Sequence, residues 1–288
     1  MPALFRIQSN FTPGRRGAGE KGLPLETITS TQNARVKRLK ALSSRKGRLE
    51  EGLFLAEGPK IIGEALSSGL RLHTLLSEDA VWAEELLASF PDPSKSADCF
   101  AVSRSVLEAV CDARTPQKAA AAFEIPLCLP PKTPEQWGKG LWAVLDGVQD
   151  PGNMGTILRS ADAMGACGVL LGPGCADPWS PKSIRSAMGS TFHVPVVETA
   201  DLCASLRAMK EAGYLLLAGH LRGESTLPAR IGDRAALLIG SEGHGLSDAV
   251  SAEATLLYRL PMKGRAESLN AAVCAGILLY ELSGRMEE

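Results

Sequence analysis

Apolar positions along the chain fall into short runs separated by amphipathic stretches. Residues 33–48 predict one basic helix, 54–56 a short strand and 59–68 a further helix. Strands follow at 72–76 and 99–102, with helices at 80–89 and 105–111, which together describe a small α/β domain. A Pro-rich stretch at 127–134 has the composition of an interdomain linker. Beyond it, continuous apolar runs at 141–145, 169–171, 214–218, 235–239 and 255–260 predict strands buried on both faces, with helices between most of them. That alternation is the pattern of a mainly parallel sheet covered on both sides. The division expected is an extension at 1–24, a first domain at 25–126, a linker at 127–140 and a second domain at 141–288.

Composition narrows the class. The chain has 288 residues and is 45% hydrophobic, enough for two modest cores. No run approaches the roughly 20 apolar residues of a membrane-spanning helix, so a soluble protein is expected. Residues 1–24 mix Gly, Pro and Arg without periodicity, lack the apolar core of a secretory signal, and read as a disordered extension. The seven cysteines are dispersed, with no C-x-x-C pair, and the four histidines are scattered. A cytoplasmic, reducing setting and no structural metal are therefore expected.

Charge is uneven. The net charge is -1, yet the first 60 residues are basic and the remainder acidic. A basic front end serves either as a polyanion-binding surface or as a solvated helical face.

Three blocks carry candidate chemistry. The first leaves a strand at Leu145-Asp146-Gly147, turns on Asp150-Pro151-Gly152-Asn153 and enters a helix bearing Arg159. Asn and Arg there offer donors to a phosphate or hydroxyl, although the arginine of such a turn also serves as a plain ion-pair partner. The second, Ile239-Gly240-Ser241-Glu242-Gly243-His244-Gly245, is a buried strand running into a Gly-rich turn, the place where open α/β sheets bind ligands. Neither a dinucleotide G-x-G-x-x-G nor a G-x-x-x-x-G-K-[ST] loop is present, which disfavours a nicotinamide oxidoreductase or a nucleotide-phosphate cradle. The third runs from Arg259-Leu260-Pro261-Met262 through Ser268-Leu269-Asn270 into an apolar helix, with Ser268 where a helix cap or a ligand contact would sit.

In this order the three blocks resemble the signature motifs of the SpoU/TrmH family of RNA ribose methyltransferases, within the SPOUT superfamily. The resemblance spans about residues 141–284, including Pro181-Lys182 and Arg185-Ser186-Ala187-Met188-Gly189-Ser190. Ile28-Thr29-Ser30-Thr31-Gln32-Asn33 and Phe54-Leu55-Ala56-Glu57-Gly58 resemble the family's amino-terminal substrate-binding domain, while Lys118 stands where many relatives carry Gly.

The resemblance implies an α/β fold whose carboxyl-terminal chain is threaded into a trefoil knot, an exception to the no-knot rule, behind a smaller α/β RNA-binding domain. It implies S-adenosylmethionine as cofactor, held by Gly219, Gly240, Leu260, Met262 and Leu269. It also implies a homodimer formed through the knotted domain, with active sites that borrow from both subunits. The reaction implied is methylation of a ribose 2′-hydroxyl, in ribosomal RNA first, with transfer RNA or a non-catalytic ribosome-assembly role as the alternatives. Arg159 would anchor a phosphate and stabilise negative charge developing on the hydroxyl oxygen, since a guanidinium stays protonated. Asn153, Glu242, Ser268 and Asn270 would orient the ribose, Arg159 or the motif loops. Cys203 and Cys274 read as core residues and His244 as part of a loop lining.

Overall fold

The computed structural model describes residues 25–95, 97–113, 115–131, 133–265 and 268–287. The extension expected at 1–24 lies outside the described residues. Two compact units emerge, one of residues 25–126 with Trp179–Pro181, the other of Leu127–Pro178 with residues 182–287. Among the described residues no helix is long and apolar enough to cross a membrane.

The first unit runs β1 (Glu26–Ile28), α1 (Ala34–Ala41), α2 (Arg45–Glu51), β2 (Leu53–Glu57), α3 (Pro59–Ser67), β3 (Leu72–Ser77), α4 (Ala80–Ser89), α5 (Pro91–Ser94), β4 (Asp98–Val102), α6 (Arg104–Val110) and β5 (Ala119–Glu124). Its mixed five-stranded sheet has the order β1-β4-β3-β5-β2. The single basic helix expected at 33–48 is two helices. Asn33 caps α1 by accepting the Arg35 N–H at 2.8 Å, and Ser44 opens α2 by accepting the Gly47 N–H at 3.0 Å. Arg48, on α2, is buried and donates Nη1 to the carbonyls of Leu42 (2.7 Å) and Ser43 (3.0 Å) in the link between the two helices. It thereby satisfies carbonyls orphaned at the end of α1. Gly47 makes the elbow possible, because a Cβ there would stand 2.1 Å from the Ala41 carbonyl oxygen.

The second unit continues with β6 (Gly140–Asp146), α7 (Pro151–Ala163), β7 (Gly168–Leu171), α8 (Pro181–Ala187), β8 (Val196–Glu198), α9 (Leu202–Glu211), β9 (Leu215–Glu224), β10 (Arg234–Gly240), α10 (Asp248–Glu253), β11 (Leu256–Tyr258) and α11 (Ala271–Ser283). Its six strands are all parallel, in the order β11-β9-β10-β6-β7-β8. Side chains alternate between two cores. Leu141, Ala143 and Leu145 of β6, with Leu237 and Ile239 of β10, pack under α7 and α11, whereas Trp142, Val144, Ala236 and Leu238 pack under α9 and α10. This is why the strands read as unbroken apolar runs: each face is buried, and each large side chain contributes about 1.5–3 kcal/mol.

Candidate active site

Strand order reverses around β6, which has β7 on one side and β10 on the other. Open α/β sheets leave a crevice beyond the carboxyl ends of their strands at such a point. Here Asp146 and Gly240, the last residues of β6 and β10, lie in register. After β6 the chain turns through Gly147 at φ 67°, a left-handed conformation that suits glycine, and Asp150 caps α7 by accepting the Asn153 N–H at 2.9 Å. Lys182 Nζ sits 3.0 Å from Asp150 Oδ2; this ion pair first, and the Asn153 N–H next, hold the Asp150 carboxyl below the usual carboxylate range. After β10 the chain closes a tight turn in which Ser241 and Gly245 exchange backbone hydrogen bonds of 3.0 and 2.9 Å. Gly240 is dictated by that closure, since a Cβ would lie 2.0 Å from the Gly245 carbonyl carbon.

The turns are tied together. Asp146 Oδ2 accepts the Ser247 N–H at 2.8 Å, joining the end of β6 to the cap of α10. Asn153 Nδ2 donates to Glu242 Oε1, and Asn153 Oδ1 accepts from Asn270 Nδ2 at 3.0 Å. Asn270 in turn caps α11, its Oδ1 accepting the Ala272 and Val273 N–H groups at 2.9 and 3.3 Å. One hydrogen-bond chain therefore links the three blocks that the sequence keeps far apart. Glu242 also lines a cavity of about 950 Å³, floored by Ile239 and Leu278 and walled by Gly219, Gly240, Leu260, Met262, Ser268 and Leu269.

Residues 140–280 match the SpoU rRNA Methylase family, and residues 33–121 match the MRM3-like substrate binding domain. The chain is 36% identical over 262 residues to the 23S rRNA (guanosine(2553)-2′-O)-methyltransferase RlmP of Bacillus subtilis, covering 90% of this chain and 100% of that protein. This chain belongs to the SpoU rRNA methylase family. The likeness extends to solved structures of SpoU relatives. The AdoMet-bound rRNA methyltransferase of Sinorhizobium meliloti superposes with a TM-score of 0.78 at 33% identity, over 89% of this chain and 97% of that one. The SpoU methyltransferase AviRb of Streptomyces viridochromogenes, also in complex with AdoMet, gives a TM-score of 0.73 at 30% identity, over 88% and 98%.

Of the residues singled out from sequence in this SpoU chain, Gly219, Gly240, Leu260, Met262 and Leu269 all line the cavity, together with Glu242, Ser268 and His244. Asn153 and Asn270 stand behind Glu242 in the hydrogen-bond chain and outside the lining. Arg159 is not brought to the cavity: it stands exposed on α7, and its side chain forms no hydrogen bond or ion pair with any described residue. Cys274 lies half-buried on α11 with its thiol pKa raised by burial, the opposite of an activated nucleophile. His220, Arg222 and Arg259 also line the cavity; His220 and Arg222 fall outside the three sequence blocks, and Arg259 opens the third without a role assigned to it. Among the described residues no cluster of three or more His, Cys, Asp or Glu could hold a metal ion.

Proposed function

We propose that this chain transfers a methyl group from S-adenosylmethionine to a ribose 2′-hydroxyl of ribosomal RNA, as a homodimer. The observation that carries the reading is the cavity at the switch point, walled by apolar side chains and bare backbone and rimmed by Glu242. It suits a nucleoside with a charged tail. Gly219 leaves room against Leu278, whose Cδ1 would be 3.1 Å from an added Cβ, and Leu260, Met262 and Leu269 offer apolar surface for a base. The bound cofactor supplies an electrophilic sulfonium methyl.

The protein's own residues then have separable tasks. Gly240 lets backbone approach the ligand, while Ser268 and Glu242 present polar groups at the rim. Asn153 and Asn270 fix where the Glu242 carboxylate points. Arg159 anchors a phosphate beside the target ribose and stabilises charge on its oxygen. Because Arg159 lies outside its own cavity, it serves the cavity of a second copy. Val273, Ile277 and Tyr280, spaced along one face of α11 and 50%, 36% and 66% exposed, supply an apolar stripe for that contact, with the chain threaded in the family's trefoil knot. In the first unit, exposed Lys37, Lys40 and Lys46 grip RNA phosphates and present the target.

The test is transfer of labelled methyl from S-adenosylmethionine to ribosomal and transfer RNA pools, followed by nucleoside analysis. Label in one 2′-O-methyl nucleoside of ribosomal RNA is expected. Label confined to transfer RNA would replace the substrate, and folded protein that neither binds cofactor nor labels RNA would overturn the reaction.

A further inference from the structure

Several cations of the second unit are committed to carboxylates. Lys139, Arg207, Lys210, Arg234 and Arg285 each lie 2.6–3.3 Å from an Asp or Glu oxygen. Of the exposed arginines and lysines without such a partner, Arg222 and Arg259 are the two that stand at the cavity. Both are exposed, both line the cavity, and neither forms an ion pair with a described residue; Arg259 Nη2 makes only a long hydrogen bond of 3.5 Å to the Ser225 hydroxyl. Among the described residues, the one carboxylate in the wall is Glu242, already held by Asn153.

A break in sheet register puts them there. Leu257 of β11 pairs with Ala218 of β9, yet its neighbour Tyr258 pairs with Glu224, so Gly219–Gly223 bulge out of the ladder. The bulge is pinned at its carboxyl-terminal end. The Arg259 N–H donates to the Glu224 carbonyl at 2.8 Å, and Gly223 lies so close to β11 that a Cβ would be 2.5 Å from the Leu257 carbonyl carbon. Bulges re-aim side chains, and this one carries His220, Leu221 and Arg222 to the cavity, with Leu221 65% exposed. Two uncommitted guanidinium groups and an exposed apolar side chain are the components of a phosphodiester-and-base contact.

We infer that the β9 bulge and Arg259 form a clamp for the RNA backbone flanking the target nucleotide, a phosphate site separate from Arg159 and from the first unit. This rests on the reading of the cavity as the methyl-transfer site. Arginine suits the task because its planar fork binds phosphate oxygens in pairs. Two guanidinium groups exceed what the single carboxylate of the cofactor needs, which favours RNA as their ligand.

The test compares Arg222→Gln, Arg259→Gln, the double variant and Arg222→Lys in the full chain, each checked by circular dichroism and thermal melting. Steady-state methylation and filter binding use an unmodified transcript of large-subunit ribosomal RNA; calorimetry uses S-adenosylhomocysteine. Each Gln variant is expected to raise the RNA KM and Kd by about tenfold, with Arg222→Lys in between, and to lower the salt slope of binding by about one. Cofactor affinity and kcat are expected to stay within about twofold. An unchanged RNA Kd and salt slope would overturn the clamp. So would a fall in S-adenosylhomocysteine affinity that matches the loss of activity, because it would assign the arginines to the cofactor. If the unmodified protein transfers no methyl, the function proposed above fails, while the clamp is still decided by the RNA Kd and its salt slope.

Discussion

Asn270 donates its amide to Asn153 Oδ1 at 3.0 Å while its own Oδ1 holds the first N–H groups of α11. The two halves of the Asn270 amide are therefore committed in opposite directions: with the oxygen occupied by the helix, only Nδ2 faces Asn153. That leaves Asn153 one orientation, carbonyl toward Asn270 and Nδ2 toward Glu242. A helix cap thus dictates the aim of a carboxylate that belongs to a different loop.

Two substitutions separate those tasks. Asn270→Ala removes cap and donor, with a stability loss of about 0.5–2 kcal/mol in denaturant titration and a fall in kcat. Asn270→Asp keeps an acceptor for the cap but loses the donor, so its melting temperature should stay near that of the parent while kcat falls at least about tenfold. Full activity in Asn270→Asp would remove the aiming role.

Arg159→Ala should abolish methyl transfer while leaving fold and cofactor binding intact. Service in trans adds a sharper expectation. Mixed and refolded with Glu242→Gln, itself inactive, it should regain about a quarter of parental turnover, because hybrid dimers hold one site with both residues. An inactive mixture in which hybrid dimers are demonstrated would place Arg159 in its own subunit's site or outside the reaction.

Gly240→Ala drives a methyl group into the backbone of Gly245 and Leu246, at 2.0 and 2.1 Å, whereas Gly243→Ala in the same turn meets nothing within 4 Å. The first should cost at least about 1–3 kcal/mol and weaken cofactor binding measured by calorimetry. The second should leave stability nearly unchanged. Equal melting temperatures for the two would refute the tight closure.

Burial pushes the Cys99 thiol up from 9.0 to about 11. The folded state favours the neutral thiol, so this contribution to stability is complete below pH 9.0 and is lost as pH rises through about 11. Urea unfolding across that window should decline more steeply in the parent than in Cys99→Ala, and Cys99 should react slowly with iodoacetamide at pH 8. Parallel pH profiles would contradict the shift.

The SpoU/TrmH resemblance and the two-sided parallel sheet were legible because their signals are local. Buried runs such as Ala235 to Ile239 have no polar alternation to mislead, and the glycines and asparagines of the motif turns stand where backbone geometry needs them. The strand at Ala119–Glu124 was not legible: a run of four alanines favours helix, and only its place between β2 and β3 makes it a strand. The break between α1 and α2 was hidden because Arg48 carries the charge of a surface residue and the burial of a core one. Arg222 stayed unmarked for a third reason. It reaches the cavity through a slip of register between two strands, an event that neither strand's own sequence records.

The sheet of the second unit offers no bare face, since β6 and β10 send alternate side chains into two separate cores. In this unit the cavity is therefore built at one edge of the sheet, from the carboxyl-terminal residues of β9 and β10, the connections that follow them and the start of α11. Such a division separates most of the groups that face the cavity from those that hold the two cores. Relatives about one-third identical to this chain can therefore share its architecture and still act on different nucleotides, as the names guanosine(2553) and uridine(2479) of two of them indicate.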